Sequence, residues 1–258
     1  MSVALVTGAS AGIGRAFAVG PAARGHHLVL VARDAARLEE LAAELTTAHG
    51  VDADVLAADL LTDEGVAAVE ARLGDVDHRV DILVNNAGFG TFGRFAELDV
   101  DREVQEVGLN VVALLRLTHA ALGAMEPRRA GAILNIASLA AYQPAPASAT
   151  YAATKAFVHS FTHAVHEEAR GTGVHVMLVC PGYTHTEFHD RAELGATDLP
   201  EFVWQSADVV VAAALRDLDR GRSVSIPGVL NQTAAAFSSV APAGITRRVA
   251  GMVVKRSG

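Results

Sequence analysis

Short apolar runs recur along this chain and alternate with longer segments rich in alanine, leucine and charged residues. The runs are continuously apolar rather than alternating, which is typical of strands covered by helices on both faces of a parallel sheet. Strand-helix units joined by right-handed crossovers build a doubly wound α/β domain. The pattern therefore predicts a seven-stranded parallel sheet with helices on both faces. The predicted strands are residues 3–7, 28–32, 54–58, 81–85, 132–137, 174–180 and 223–226.

Capping residues mark where two of the helices begin. Asp34 is the predicted N-cap of a helix over residues 35–48, because its side chain can accept a hydrogen bond from the first turn. Thr62 has the same place before a helix over residues 63–74. Pro21 lies inside the expected first helix, and we expect it to kink or shorten that helix because proline lacks the amide hydrogen.

Composition limits the classes of protein to which the chain can belong. Its 258 residues are 51% hydrophobic and 19% charged, so we expect one domain over residues 1–258 with a large core. The net charge of −8 disfavours nucleic-acid binding, which requires clustered lysine and arginine. No apolar run approaches the roughly 18 residues of a membrane span. The single cysteine, Cys180, and the absence of an evident targeting peptide predict a cytoplasmic protein.

The segment TGASAGIG, residues 7–14, follows the first predicted strand directly. Its glycines at positions 8, 12 and 14 let the backbone turn tightly and approach a pyrophosphate, whose charge the next helix N-terminus favours. A tight turn without any ligand is the alternative interpretation. Because the segment opens the first strand-helix unit of an alternating α/β chain, it favours a Rossmann-type dinucleotide-binding domain.

The end of the second strand indicates which dinucleotide is bound. Arg33 follows that strand and can clamp a 2′-phosphate, although it can equally be a solvated surface charge. Asp34 is placed where an acid could bind a ribose 2′-hydroxyl, but we interpret it as the helix cap. The sequence therefore favours NADP(H), with NAD(H) as the alternative. Asp59 and Leu60, just beyond the third strand, are weaker candidates for holding an adenine.

Four polar residues form a candidate catalytic group. Tyr151 and Lys155 are four residues apart on a predicted helix and share one face, where the ammonium would favour the phenolate. Ser138 follows a predicted strand at the carboxyl edge of the sheet. Asn110 lies in an apolar helical run and requires a hydrogen-bond partner if it is buried. Taken singly, a surface aromatic beside a lysine and a satisfied core amide explain these residues equally well.

These motifs together resemble the short-chain dehydrogenase/reductase family over nearly the whole chain. The glycine turn, the sequence NNAG at 85–88 and the sequence CPG at 180–182 are similar to segments of that family. The family's catalytic tetrad is matched in the correct order. Its members in this chain are Asn110, Ser138, Tyr151 and Lys155.

The resemblance implies hydride transfer between a nicotinamide and a carbonyl carbon. Tyr151 would donate the proton during reduction and Ser138 would bind the substrate oxygen. Lys155 would hold the nicotinamide ribose, and Asn110 would anchor a water that relays protons to it. The implied cofactor contacts are Gly8, Ser10, Gly12, Ile13, Gly14, Arg33, Asp59, Leu60, Asn86, Ala87, Gly88, Tyr151, Lys155, Pro181, Gly182, Thr184 and Thr186.

The C-terminal third carries the predicted substrate specificity. Residues 183–206 contain several aromatic and leucine residues and are predicted to form a lid. These side chains either bind an apolar carbonyl or alcohol substrate or only pack the lid against the domain. Residues 228–258 form an extension similar to that of reductases acting on aldehydes, ketones and 3-oxoacyl chains. The end of this extension is basic, and weak peripheral membrane association is the alternative to a packed helix.

Two further expectations concern metals and subunits. One helix carries side chains of the types that bind metals at helical spacing, which is compatible with a metal site. They are His159, His163, His166 and Glu167. The resemblance implies chemistry without a metal, so we predict no metal site. It also implies that the helix with these histidines lies in a subunit interface, so we predict a homodimer or homotetramer. The rival to an enzyme is a noncatalytic nucleotide-binding protein, because a fold alone does not determine function.

Overall fold

A computed structural model describes residues 2–187 and 200–240 of the protein, without the side chains of residues 239 and 240. All but two of its strands form one parallel sheet, and the order in that sheet is 3-2-1-4-5-6-9. The remaining two strands pair with each other. The strands are β1 (Val3–Thr7), β2 (His27–Ala32), β3 (Ala53–Ala57), β4 (Ile82–Asn85), β5 (Gly131–Ile136), β6 (Val174–Val179), β7 (Thr184–His185), β8 (Gln205–Ser206) and β9 (Val224–Ser225).

Helices cover both faces of this sheet. The described helices are α1 (Gly12–Ala22), α2 (Ala35–His49), α3 (Asp63–Gly74), α4 (Val100–Val107), α5 (Leu114–Met125), α6 (Ala149–Glu168), α7 (Ala207–Asp219) and α8 (Val229–Val240). The predicted doubly wound fold with seven parallel strands is confirmed, and each predicted strand lies within one or two residues of an observed one.

The predicted helix boundaries are also found. Asp34 caps α2 by accepting a hydrogen bond of 3.1 Å from the amide of Arg37. Thr62 caps α3 by accepting one of 3.0 Å from the amide of Gly65. Helix α1 ends at Ala22, one residue after Pro21, as expected for a residue that cannot donate to the preceding turn.

The core lies on both sides of the sheet because successive strand residues point to opposite faces. In β1, Ala4 and Val6 join the apolar cluster under α1, α2 and α7. Leu5 between them joins the cluster under α3, α5 and α6. Burial of apolar surface at roughly 25 cal/mol per Å² makes these two layers the main stabilising contribution, and the strands become a firm base for the loops at their ends.

The strand order reverses between β1 and β4, which are hydrogen-bonded neighbours. In doubly wound sheets, ligands bind in the crevice that such a reversal opens beyond the carboxyl ends of the strands. The glycine turn follows β1 at this edge, the segment 86–88 follows β4, and Ser138 follows β5. The topology therefore collects three of the predicted motifs at one place.

A six-residue π-helical turn, Gly108–Ala113, joins α4 to α5, so that residues 100–125 form one continuous helical element. Within the described residues, this element is long and apolar enough by length and composition to cross a membrane, with a mean hydropathy of 1.5 over 18 residues. From the sequence we had expected no apolar run of this length. Its inner face packs in the core through Leu117, Ala121 and Met125.

The predicted lid and C-terminal extension are described only in part. The two ends of the lid pair as β7 and β8, with Thr184 opposite Gln205 and His185 opposite Ser206. Residues 188–199, between them, lie outside the described residues. The described part of the extension forms α8, and the basic residues at positions 247, 248, 255 and 256 also lie outside the described residues.

Candidate active site

The glycine turn after β1 has the close backbone approach that a dinucleotide site requires. A Cβ on Gly14 would lie 2.1 Å from the carbonyl oxygen of Gly8, so no larger residue fits there. Gly8 and Gly12 have φ of +68° and +54°, which glycine adopts without strain. A Cβ on Gly12 would lie 3.0 Å from Thr186, which brings the start of the lid to the turn. Ser10 and Ile13 lie in the same turn.

Thr7 ties the segment after β4 to the glycine turn. Its hydroxyl accepts hydrogen bonds of 3.0 Å from the amides of both Asn86 and Ala87. The side chain of Asn86 returns a bond of 3.0 Å to the carbonyl of Thr7 and a longer one to Gly8. In this structure the Asn86 side chain therefore braces the turn, while Ala87 and Gly88 continue along the edge of the site.

Asn110 lies in the π-helical turn and is buried. Its amide nitrogen donates to the carbonyl of Phe89 at 2.8 Å and to the hydroxyl of Thr154 at 3.1 Å. Its oxygen accepts from the amide of Phe89 at 3.1 Å. The partner that the sequence required is thus found, and π-helical turns are frequent at functional sites. Asn110 connects the loop after β4 to helix α6.

Lys155 is 6% exposed, and its ammonium donates a hydrogen bond of 2.9 Å to the carbonyl of Ile136. Burial lowers the pKa of Lys155 to about 8, because a charged group is poorly solvated in the interior. A Cβ on Gly88 would lie 3.7 Å from this nitrogen and 2.7 Å from Asn110 Oδ1. Because Gly88 has no side chain, space remains next to the Lys155 ammonium and the Asn110 side-chain oxygen.

Tyr151 lies one helical turn before Lys155, whose nitrogen is 5.7 Å from the centre of the tyrosine ring. Burial raises the pKa of Tyr151 to about 12, while a hydrogen bond with Ser138 opposes part of that change. The expected lowering of this pKa is not found, because burial is the largest effect on it. Ser138 also accepts a bond of 3.1 Å from the amide of Ala140. The structure thus brings Tyr151, Ser138 and Lys155 together.

The residues after β2 form the side predicted to bind the adenosine. The Asp34 carboxylate is engaged as the cap of α2 and lies 3.5 Å from the Arg37 guanidinium. Arg37 also pairs with Glu187 at 3.1 Å, and this pair joins α2 to the first residues of the lid. Arg33 is exposed beside them. The Asp34 carboxylate is therefore already engaged by the helix amide and by Arg37.

Asp59 and Leu60 follow β3 at the same edge. Asp59 accepts a hydrogen bond of 3.0 Å from the amide of Leu61, which shapes the turn into α3. Leu60 is buried in the core. The backbone at these residues, rather than the leucine side chain, is thus what this segment can offer to a ligand.

The segment after β6 is held by the C-terminal helix. A Cβ on Gly182 would lie 2.5 Å from the amide nitrogen of Asn231, a buried residue of α8. That nitrogen donates to Gln205 at 3.1 Å and to the carbonyl of Pro227 at 2.7 Å. The carbonyl of Pro181 accepts a bond of 3.0 Å from the amide of Leu139, beside Ser138. The segment predicted to contact the nicotinamide is therefore fixed from two sides.

Three groups of residues in this site were not predicted from the sequence. Thr7 and Thr154 are hydrogen-bond hubs, and Asn231 clamps Gly182. Glu106, one turn before Asn110, is a buried carboxylate that accepts two hydrogen bonds from Thr91. Only Glu106 had a visible signal, because a glutamate four residues before Asn110 is placed on the same inward helix face.

The histidines of α6 do not converge. The rings of His159 and His163 lie 4.7 Å apart, whereas His166 donates a hydrogen bond of 2.7 Å to the carbonyl of Val176. Within residues 2–187 and 200–240, no group of three or more histidine, cysteine or acidic side chains could hold a metal ion.

Relatives of the chain were identified by sequence. A profile of the short chain dehydrogenase family matches residues 2–195. Sulfoacetaldehyde reductase 2 of Chromohalobacter salexigens is 36% identical over 224 residues, which cover 80% of this chain and 88% of the relative.

Solved structures show the same fold. A short-chain dehydrogenase from Sphingobium yanoikuyae in complex with NADPH is 38% identical, with a TM-score of 0.84 over 94% of this chain and 96% of the other. The bulky-bulky ketone specific alcohol dehydrogenase from Comamonas testosteroni is 34% identical, with a TM-score of 0.80 over 94% and 95%. A short-chain dehydrogenase/reductase from Burkholderia phymatum in complex with NAD is 25% identical, with a TM-score of 0.80 over 92% of each chain. With the glycine turn and the four polar side chains in place, these likenesses establish that the chain belongs to the short-chain dehydrogenase/reductase family of oxidoreductases.

Proposed function

We propose that the protein is an NADP(H)-dependent oxidoreductase that interconverts an apolar carbonyl compound and its alcohol, with Tyr151 as the general acid and base. The observation that carries this proposal is the hydrogen bond between the side chains of Tyr151 and Ser138, next to the buried ammonium of Lys155. This group lies at the reversal in strand order, where a dinucleotide binds in doubly wound sheets.

Each side chain has a defined task in this proposal. The nicotinamide supplies hydride chemistry when it is bound. Tyr151 donates a proton to the substrate oxygen during reduction, and Ser138 orients that oxygen through a second hydrogen bond. Lys155 provides a positive charge beside the phenolate that remains. Asn110, bonded to Thr154 and Phe89, would anchor a water that relays protons from solvent to Lys155.

The preference for NADP(H) rests on the edge after β2. Asp34 is engaged as a helix cap and lies against Arg37, so its carboxylate is poorly placed to receive a ribose hydroxyl. Arg33 is exposed beside it and can pair with a 2′-phosphate. The complex of the Sphingobium yanoikuyae relative with NADPH supports this choice. NAD(H) is the alternative, because the Burkholderia phymatum relative was solved with NAD.

An apolar substrate is proposed from the residues around the lid. The rings of Tyr183 and Trp204 lie 5.5 Å apart, and His185 stacks on Trp204 at 4.8 Å. Phe202, in the 3-10 turn three residues before β8, is 76% exposed. An aromatic wall of this kind suits bulky ketones or acyl chains better than small polar aldehydes. The likeness to a dehydrogenase named for bulky ketones supports this proposal.

We propose a cytoplasmic homodimer or homotetramer as the working form. Its support is a set of exposed apolar side chains on two neighbouring helical elements, the one over residues 100–125 and α6. Monomeric proteins rarely leave large apolar patches uncovered. The exposed residues are Val100, Val104, Val107, Val112, Leu115 and Phe157.

The proposal is tested by following NADPH and NADH oxidation with short, aromatic and long-chain aldehydes and ketones, in wild type and in Tyr151→Phe. We expect turnover that prefers NADPH and bulky substrates, and that falls at least a thousandfold in the variant because no group can donate the proton. NADPH binding, followed by its fluorescence, controls for folding of the variant. If both cofactors bind but neither carbonyls nor alcohols react, the protein is the noncatalytic nucleotide-binding alternative.

A further inference from the structure

Glu106 is an ionisable residue for which the reaction described above has no task. It is 0% exposed, on the inner face of α4. One carboxylate oxygen accepts hydrogen bonds of 2.9 Å from the amide and 2.7 Å from the hydroxyl of Thr91. The other oxygen, Oε1, is buried without a hydrogen-bond partner in the described structure. A carboxylate is seldom buried in this way without a positive charge nearby.

Glu106 and Asn110 hold the same loop from one helix face. Asn110 bonds the backbone of Phe89 through both its amide atoms, and Glu106 bonds Thr91 two residues further on. This loop begins at Gly88, whose position facing Asn110 and Lys155 leaves space beside the ammonium. The shape of the site at Lys155 therefore depends on both anchors.

Glu106 also acts on Lys155 through its charge. The groups that act electrostatically on Lys155 are Glu106 from α4 and Cys180 from the end of β6, and Glu106 is the stronger of the two. Its negative charge raises the pKa of Lys155 and opposes the larger effect of burial. Burial raises the pKa of Glu106 to about 6; the hydrogen bonds from Thr91 oppose this rise, Glu103 adds to it, and Lys155 opposes it least. Glu106 is thus ionised at neutral pH.

We propose that Glu106 is a positioning residue of the catalytic centre: it supplies the buried negative charge that keeps Lys155 an ammonium, and it anchors the loop at Thr91. This inference rests on the proposed function, because it assigns Glu106 a task in the same reaction. Glu106 touches neither substrate nor cofactor in this role. It acts through Lys155, through the loop and through its charge, which raises the pKa of Tyr151.

The first test is the pH dependence of turnover. Removing the negative charge lowers the pKa of both Lys155 and Tyr151, but only Lys155, at about 8 against about 12 for Tyr151, sets the alkaline limb. Activity lost on deprotonation of the ammonium is therefore lost at lower pH. In Glu106→Gln we expect the alkaline limb of the plot of kcat against pH to lie at a pH lower by on the order of one unit. At pH values above the limb, kcat should be about tenfold lower than that of wild type. In Glu106→Asp, which retains the charge, the limb should return toward that of wild type.

Glu103→Gln is the matched control. Glu103 is also a buried glutamate of α4, but its partner is the hydroxyl of Thr150, and it is not among the groups that act on Lys155. We expect its alkaline limb to stay at the wild-type pH. An unchanged limb in Glu106→Gln, or an equal displacement in both glutamine variants, would overturn the proposal.

A second measurement does not require activity. The pKa of Glu106 is higher in the folded chain, about 6, than its ordinary value of 4.5. The folded state therefore binds more protons between these values, and the free energy of unfolding of wild type should fall as pH rises through them. Chemical denaturation between pH 4 and 7 should show this fall relative to Glu106→Gln.

The two measurements separate the two proposals. Wild-type turnover with an unmoved limb in Glu106→Gln overturns the role of Glu106 alone. No wild-type turnover on any substrate overturns the proposed function and, with it, the catalytic task of Glu106. A pH-independent stability difference between wild type and Glu106→Gln contradicts a buried carboxylate that titrates near pH 6, whatever the activity.

Discussion

The side-chain amide of Asn110 donates a hydrogen bond of 3.1 Å to the hydroxyl of Thr154. That hydroxyl in turn donates to the backbone carbonyl of Tyr151 at 2.8 Å. Both Asn110 and Thr154 are buried, and Thr154 immediately precedes Lys155. One threonine therefore links the π-helical turn to the helix that carries the tyrosine and the lysine, so the relative positions of the proposed catalytic side chains depend on it.

Thr154→Val tests this link with little change in shape. The substitution leaves the Asn110 amide with one partner fewer, and we expect a loss of about 1 kcal/mol in the free energy of unfolding. Turnover should fall several-fold because Asn110 loses its fixed orientation. Thr162→Val is the control, because Thr162 is a buried threonine of the same helix that accepts a bond of 3.1 Å from Asn135, away from the site. Equal losses of kcat in the two variants would contradict the link.

The role of Asp34 can be separated into cap and cofactor ligand. Asparagine caps helices as well as aspartate does, so Asp34→Asn should leave the unfolding free energy unchanged, whereas Asp34→Ala should lose about 1 kcal/mol. If the residue is only a cap, the NADH affinity of Asp34→Asn equals that of wild type. A weakened NADH affinity in Asp34→Asn would instead indicate a ribose ligand.

Arg33→Ala tests the phosphate edge. Loss of one arginine that pairs with a 2′-phosphate should weaken NADPH binding by roughly tenfold to a hundredfold and leave NADH binding nearly unchanged. Titration of both cofactors by fluorescence measures the ratio. An equal effect on NADPH and NADH would mean that Arg33 is a surface charge without a role in selection.

Asn231→Ala tests whether the C-terminal helix positions the segment after β6. The change removes the donor to Gln205, which is half-buried, and to the carbonyl of Pro227, which is buried. Leaving the Pro227 carbonyl unpaired should cost roughly 1–3 kcal/mol. We expect a raised KM for the cofactor because Gly182 loses its support. Gln232→Ala, which removes an exposed amide bonded to Ile226, should leave that KM unchanged. The prediction fails if the two variants have the same KM.

Two glycine substitutions should have opposite effects. A methyl group at Gly14 would meet the carbonyl of Gly8, so Gly14→Ala should destabilise the fold by roughly 1–3 kcal/mol and impair NADPH binding. Gly123 lies in α5 with no atom within 4 Å of an added Cβ. Gly123→Ala should therefore stabilise the protein by roughly 0.5–1 kcal/mol. Chemical unfolding of both variants measures the contrast.

Features that depend on neighbouring residues were predictable from the sequence. The apolar runs become the seven parallel strands, and Asp34 and Thr62 cap their helices, because strand pattern and capping are properties of a few consecutive residues. The glycine turn and the family resemblance likewise depend on local motifs. The assigned roles of the catalytic and cofactor residues, the lid and the subunit number stay predictions.

Tertiary contacts decided what local pattern could not. Asn231 reaches Gly182, and Glu106 reaches Thr91, only because the fold brings distant segments together. The pKa of Tyr151 rises rather than falls because of burial, which no spacing of residues reveals. The sequence by itself determined the fold and the identity of the polar residues at the sheet edge. Which groups hold them, and how strongly burial changes their acidity, depended on contacts between residues far apart in the chain.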